Sequence, residues 1–203
     1  MARTETQTTE RIIAAAERRM RDGGFHGYSF REIAADVGIK SASVHHHFPT
    51  KEDLSAAVAE AYTDRFMEAL GDPEDRSRSP KDLIRLYAEL FRRAIIEDGQ
   101  MCLCGVLASE VAALPPRVGA AAKGFFERNI AWVEAVLRRK SARARPEQIK
   151  LAALKTVALL EGAMLVSGAL QSQEVFEKLK DALGEELALR IAPDFIPTDR
   201  TLN

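Results

Sequence analysis

Residues 29 to 48 read Ser29-Phe30-Arg31-Glu32-Ile33-Ala34-Ala35-Asp36-Val37-Gly38-Ile39-Lys40-Ser41-Ala42-Ser43-Val44-His45-His46-His47-Phe48. Ser29 with Glu32 three residues on has the form of a capping box, which starts a helix. Gly38 stands where the chain must turn sharply, often with positive φ. A short helix capped by Ser41 follows, and Pro49 stops it. Ala34 supplies the small residue needed where the second of these helices crosses the first. Ile33, Val37, Ile39 and Val44 are spaced to fill the wedge between them. These features meet the steric demands of a helix-turn-helix. From Gly38 through Lys51 there is no Asp or Glu, but there are two lysines, three histidines, two serines and a threonine. A helix set between phosphates must avoid carboxylates and present short donors, and this stretch does both.

Working outward, the N-terminal side predicts a helix from about Glu5 to Arg21, with Ile12, Ile13, Ala16 and Met20 inward and Gly23-Gly24 at its end. On the C-terminal side, Thr50-Lys51-Glu52-Asp53 opens a long helix whose stripe is Leu54, Val58, Tyr62, Phe66 and Leu70. Gly71 to Ser79, with Pro73, is the clearest break in the chain. Ser79-Pro80 opens a helix to about Glu97, and another runs from Cys102 to Ala113. Pro115-Pro116 starts the next, to Arg139, and Lys140 to Arg145 is basic and loop-like. Pro146 leads the most apolar helix, ending near Gln171; a last helix covers Glu174 to Ile191, and Pro193 to Asn203 reads as a tail. Apolar residues recur at i, i+3, i+4 and i+7, with almost no alternation of period two. The fold class is all-α, with about nine helices.

The charge balance is consistent with a selective surface. The 203 residues hold 29 Lys+Arg and 30 Asp+Glu, a net charge of −1, which argues against a uniformly basic DNA coat or a polyanionic disordered chain. Cys102 and Cys104 are too few for a disulfide framework, so a reducing cytoplasm is the expected setting. The N-terminus is polar before its first apolar residues, unlike a signal peptide. The run from Leu151 to Leu170 is interrupted by Lys155 and Glu161, so it reads as a buried or interfacial helix and no membrane contact is expected.

Glu10-Arg11-Ile12, Gly24-Phe25, Ser29 through Gly38 and His46-His47-Phe48-Pro49-Thr50-Lys51-Glu52-Asp53-Leu54 resemble the TetR/AcrR family of transcriptional regulators. The likeness is detailed over the first quarter of the chain; beyond it, only helix count and order agree. It implies a three-helix DNA-binding domain over residues 1–50 and an effector-binding and dimerisation domain over residues 51–203. Position then assigns the DNA contacts. Ser29, Thr50 and Lys51 open helices, whose N-termini present free amides and positive dipole to phosphates. Lys40, Ser41, Ala42, Ser43, His45 and His46 lie on or beside the recognition helix. The family usually has a tyrosine where this chain has His45, so the operator sequence is not transferable. Three histidines at i, i+1 and i+2 point in different directions, so no metal is expected, nor any cofactor.

The resemblance further implies an effector pocket, for which the candidates are Phe66, Tyr87, Phe91, Cys104, Phe125, Trp132 and Glu161. Glu110 and Glu161 lie in apolar helices and need partners if buried. The last two helices look like a dimer bundle: Gly162, Ala163, Ser167, Gly168 and Ala169 allow close approach, and Leu159, Leu160, Leu165 and Val166 supply apolar area. The expected protein is a homodimeric repressor that binds a palindromic double-stranded DNA operator and is released by a small-molecule effector. Two alternatives stay open. One is an oxidant or electrophile sensor using Cys102 or Cys104, since a cysteine at a helix N-terminus can have a lowered pKa. The other is an effector-free architectural DNA binder. An enzyme is not expected, because all four histidines precede residue 48 and no Gly-rich phosphate loop is present.

Overall fold

A computed structural model describes residues 2–140 and 144–190, and the side chains of these except residues 2–4 and 184–190. Among the described residues there are nine α-helices and no strand: α1 (Ala2–Gly23), α2 (Phe30–Val37), α3 (Ser41–His47), α4 (Lys51–Leu70), α5 (Pro80–Arg92), α6 (Leu103–Ser109), α7 (Pro116–Lys140), α8 (Pro146–Ala169) and α9 (Gln173–Arg190). None is long and apolar enough to cross a membrane. Part of the expected basic loop, residues 141–143, lies outside the described residues, as do Ile191 and the tail from Pro193 to Asn203.

The first three helices form by the local rules read from the sequence. The Ser29 side chain accepts from the Glu32 amide while Glu32 accepts from the Ser29 amide, closing the capping box that starts α2. Gly38 ends α2 at φ 72°. A Cβ there would meet nothing within 4 Å, so the requirement is the left-handed backbone alone, which costs other residues roughly 1–2 kcal/mol. Ile33, Val37 and Val44 are buried in the wedge together with Ala34. One detail differs from expectation. Ser41 is the first helical residue of α3 and not its cap; Lys40 holds the extended cap position, with no side-chain hydrogen bond there.

α4 joins the two halves of the molecule. Its first turn carries a second capping box, Thr50 with Asp53, and twenty residues at 1.5 Å each carry it about 30 Å, from α1 to the packing against α7. The helix expected to Glu97 leaves α-geometry after Arg92, and residues Arg93–Glu97 form a π-turn. The helix expected over Cys102 to Ala113 is also broken. α6 stops at Ser109, and a 3₁₀ turn covers Val111–Ala113. Leu114, which precedes Pro115, is extended, as proline disfavours helical backbone in the residue before it.

The larger core is aromatic. The Phe66 ring lies 6.0 Å from Tyr87, 5.5 Å from Phe91 and 5.2 Å from Phe125, and Tyr87 stacks on Trp132 at 5.8 Å. The Trp132 indole donates to the Gly71 carbonyl at 2.8 Å, which ties α7 to the loop that ends α4.

Candidate functional site

The outward side of α3 carries Lys40, Ala42, His45 and His46, all exposed, with Ser41 and Ser43 half-buried. Val44 and Phe48 anchor it inward. A shallow groove of ≈ 470 Å³ between α1 and α3 is lined by Glu5, Thr8, Lys40, Ser43 and His46, among others. His47 is tied to α1 through its Nδ1, 3.0 Å from the Thr9 hydroxyl. The His45 ring packs edge-on against Phe30 at 4.6 Å. His46 Nε2 is 3.7 Å from Glu5 Oε1, both exposed; a pair so open to water holds little.

The carboxylates near this face are occupied. Arg19 donates Nε and a terminal nitrogen to the two oxygens of Asp36, at 2.6 and 3.0 Å, and a third N–H to Glu32 at 3.3 Å. The Arg19 hydrogen bond holds the Asp36 carboxyl below its ordinary range. Glu32 is held low first by the Ser29 hydroxyl. Arg11 fastens α1 to the end of α2 through the Val37 carbonyl at 2.5 Å.

Three of the sequence-assigned phosphate donors are already engaged. The Ser29 hydroxyl donates to Glu32 at 2.8 Å and the Thr50 hydroxyl to Asp53 at 2.7 Å, each inside its own capping box. The Lys51 ammonium turns inward. It donates to the Tyr28 carbonyl at 2.6 Å and lies 4.5 and 5.0 Å from the centres of the Tyr28 and Phe25 rings. Burial holds it below its usual pKa. Arg31, exposed in the first turn of α2, is a cation on this face that the sequence reading did not name; its signal was a basic residue two positions after a helix cap.

The predicted effector residues come together in the larger half. Phe66, Tyr87, Phe91, Phe125 and Trp132 form the aromatic core described above. Cys104 and Glu161 lie at the edge of that core, beside Tyr87 and Cys102. Glu161 stands beside the Cys102 thiol, and burial pushes its carboxyl up to about 7. The Tyr87 hydroxyl and Glu161 Oε1 are sealed from water and have no hydrogen-bond partner. Buried polar atoms are rarely left this way.

The sensor alternative needs a lowered pKa at the cysteines, and the surroundings act the other way. Cys102 does cap α6, its sulfur accepting from the Gly105 amide at 3.4 Å. Both thiols are nonetheless buried, and burial pushes both well up, with the Glu161 carboxylate adding to the effect. Desolvation and a neighbouring carboxylate outweigh the ends of a two-turn helix. These surroundings favour the neutral thiol at both positions.

Glu110, read as a second residue needing a partner, has one in the N-terminal unit: the Phe25 amide donates to its Oε2 at 2.9 Å. Gly24, at φ 66°, makes room for it, since a Cβ there would stand 2.0 Å from Glu110 Oε1. From the other side, Arg21 of α1 donates to the carbonyls of Met101 and Gln100, at 2.7 and 3.2 Å. α6 is therefore gripped by the N-terminal unit at both ends. Among the described residues no group of three or more His, Cys, Asp or Glu side chains is placed to hold a metal ion.

Comparison with known proteins agrees across the chain. Residues 12–58 match the model of the bacterial regulatory proteins of the tetR family, and residues 80–182 match that of the LmrA/YxaF-like transcriptional regulator C-terminal domain. A TetR transcriptional regulator from Legionella pneumophila superposes with a TM-score of 0.81 at 32% identity, covering 87% of this chain and 95% of its own. A TetR-family regulator from Agrobacterium tumefaciens gives 0.81 at 26% identity, over 90% and 98%. The transcriptional regulator AcuR of Cereibacter sphaeroides is 29% identical over 119 residues, 57% of this chain and 54% of AcuR, so the likeness spans about half of that regulator.

Proposed function

The chain belongs to the TetR family of DNA-binding transcriptional regulators, and from that premise we propose that it is a homodimeric repressor released from a palindromic operator by a small-molecule effector. The observation that carries the reading is α6. Its ends hold the N-terminal unit through Arg21 and Glu110, and its first turn meets the Tyr87–Glu161 cluster through Cys102. A molecule that moves this turn moves the grip on α1. A preference of only ~1.4 kcal/mol for one separation of the two DNA-binding units changes operator occupancy about tenfold.

Residues 1–50 read the DNA and residues 51–203 bind the effector and the second copy, with α4 as the shared helix. Lys40, Ser41, Ala42, Ser43, His45 and His46 face the major groove. Ser29, Thr50 and Lys51 support phosphate contacts at the starts of α2 and α4, with Arg31 beside them. A second copy fits the outer face of α8, where Leu151, Leu154, Leu165 and Val166 are exposed, with Leu170 exposed just past its end. An apolar stripe of this length calls for a covering partner, and a two-fold dimer meets two half-sites about 34–36 Å apart.

Selection of duplexes from a random pool by the full-length protein tests this. An inverted repeat bound by two protomers is expected. Lys40→Ala weakens binding about evenly across sequences and lowers the salt slope by about 1, while His45→Ala relaxes preference at one position. Recovery of sequences without two-fold symmetry, or operator affinity indifferent to both changes, removes the assigned face.

A further inference from the structure

We propose that the effector is a compact organic cation carrying N–H donors, an aryl- or alkylammonium, received by Glu161 and the Tyr87 hydroxyl inside the aromatic core. The inference rests on the reading of an effector-released regulator and names the chemistry of its ligand.

Three independent features meet here. The first is the pair of orphaned polar atoms. Tyr87 is fully buried, and its hydroxyl and Glu161 Oε1 lack partners. A phenol oxygen and a carboxylate oxygen are both acceptors for an ammonium N–H, so one donor group answers both. The second is that no ion pair joins Glu161 to a cation among the described residues. What acts on the Glu161 carboxyl is burial and the Cys102 thiol, with no cation among the causes. The nearby Arg21 is committed to the carbonyls of Gln100 and Met101 and lies over the Tyr62 ring at 5.9 Å. A buried carboxylate without a cation is costly, and groups perturbed in this way cluster at functional sites.

The third is a built notch. Gly105 sits within α6, where glycine weakens the helix by roughly 1 kcal/mol relative to alanine. A Cβ there would stand 2.5 Å from Glu161 Oε2. The glycine thus makes space for the carboxyl. Glu161 as a whole is half-buried while its Oε1 is sealed, so the surface lies about one side chain away. An anion meets only repulsion, and a neutral alcohol recovers one hydrogen bond and no charge pairing.

Titration calorimetry on the full-length protein with three matched probes decides the matter: phenethylammonium, 2-phenylethanol and 3-phenylpropanoate. The ammonium is expected to bind at least tenfold tighter than the alcohol, and the carboxylate most weakly. The groups facing Glu161 are Tyr87 from α5 and Cys102 and Cys104 from α6, all held neutral between pH 6 and 8. Ammonium affinity therefore rises about tenfold over that range, following ionisation of Glu161. Glu161→Gln abolishes both the preference and the pH dependence; Tyr87→Phe, which keeps the fold by its small change, weakens the ammonium severalfold and leaves the pH dependence.

No binding of the ammonium, equal or tighter binding of the alcohol or carboxylate, or a Tyr87→Phe protein without loss overturns the proposal. An operator gel shift separates this from the wider reading. Ammonium that binds as described without releasing DNA leaves the site standing and sinks effector release. DNA released by the alcohol and not by the ammonium does the reverse.

Discussion

The helix-turn-helix unit and the aromatic core treat their polar groups in opposite ways. Around α2 and α3, Ser29 is closed on Glu32, Thr50 on Asp53, Arg19 on Asp36, Lys51 on the Tyr28 carbonyl and His47 on Thr9. Inside the larger half, the Tyr87 hydroxyl and Glu161 Oε1 are buried and unpaired, as is Asn129 Oδ1. A reader of DNA benefits from a rigid unit whose internal bonds are complete before the operator arrives. A receptor for a small molecule benefits from bonds left for the ligand to make. The contrast teaches that the two halves hold their stability in different currencies: apolar wedges and closed caps in one, aromatic packing around an unmet polar demand in the other.

The largest effect belongs to the wedge. Ile33 is fully buried between α2 and its neighbours, in a unit too small to relax around a void. Ile33→Ala removes about 2–5 kcal/mol of stability, read as a lower urea midpoint with loss of operator binding. A midpoint unmoved by this change breaks the comparison, since it means that the reader does not depend on its packed wedge.

The next effect has a pH signature that differs between the halves. Burial raises the Glu161 carboxyl from an ordinary 4.5 to about 7, so the folded state holds that proton more tightly than the unfolded one. Its contribution is complete below about pH 4.5 and is lost as pH rises to about 7, by up to about 3 kcal/mol, with no further change above. Asp36, Glu32 and Asp53 are held low by hydrogen bonds and act the other way, their contribution failing only on acidification through the usual carboxylate range. Chemical denaturation between pH 5 and 8 should therefore show a falling limb that Glu161→Gln flattens, and the variant should exceed the natural protein at pH 8. A limb that survives the substitution assigns the titration elsewhere.

This asymmetry explains what was legible in the sequence. The capping boxes at Ser29 and Thr50 and the turn at Gly38 involve residues at most four apart, so local rules reach them. That the caps consume the Ser29 and Thr50 hydroxyls, and that Lys51 folds back on Tyr28, was not visible, because hydrogen-bond direction and a contact across 23 residues depend on tertiary packing. The aromatic candidates meet in one core because helical spacing puts each on an inward face. The break in α6 and the π-turn after α5 were missed: no proline or glycine stands at Arg93 or Glu110 to mark them. Glu110 and Glu161 looked alike as acids in apolar helices. Only the fold separates them, one meeting the Phe25 amide and the other nothing but a thiol.

The smallest expected effect is the most direct test of the contrast, because one chemical change is made in both halves. Tyr28 is buried and its hydroxyl is 2.7 Å from the Ser55 hydroxyl and donates to the Lys51 carbonyl at 3.2 Å; burial pushes it up to about 12. Tyr28→Phe keeps the ring, deletes that link between α4 and the turn before α2, and leaves Ser55 to find another partner, at a cost of about 1 kcal/mol. Tyr87→Phe deletes a hydroxyl that has no partner, so it removes a desolvated polar atom and leaves only a gap the size of one oxygen. Its thermal midpoint should be unchanged or higher, by up to about 1 kcal/mol equivalent. Opposite signs for the two tyrosines, measured side by side without ligand, sustain the division into a DNA-binding unit with its polar bonds complete and an aromatic core with bonds left open. Equal losses at both positions mean that the Tyr87 hydroxyl is satisfied in solution, and the division then fails at its centre.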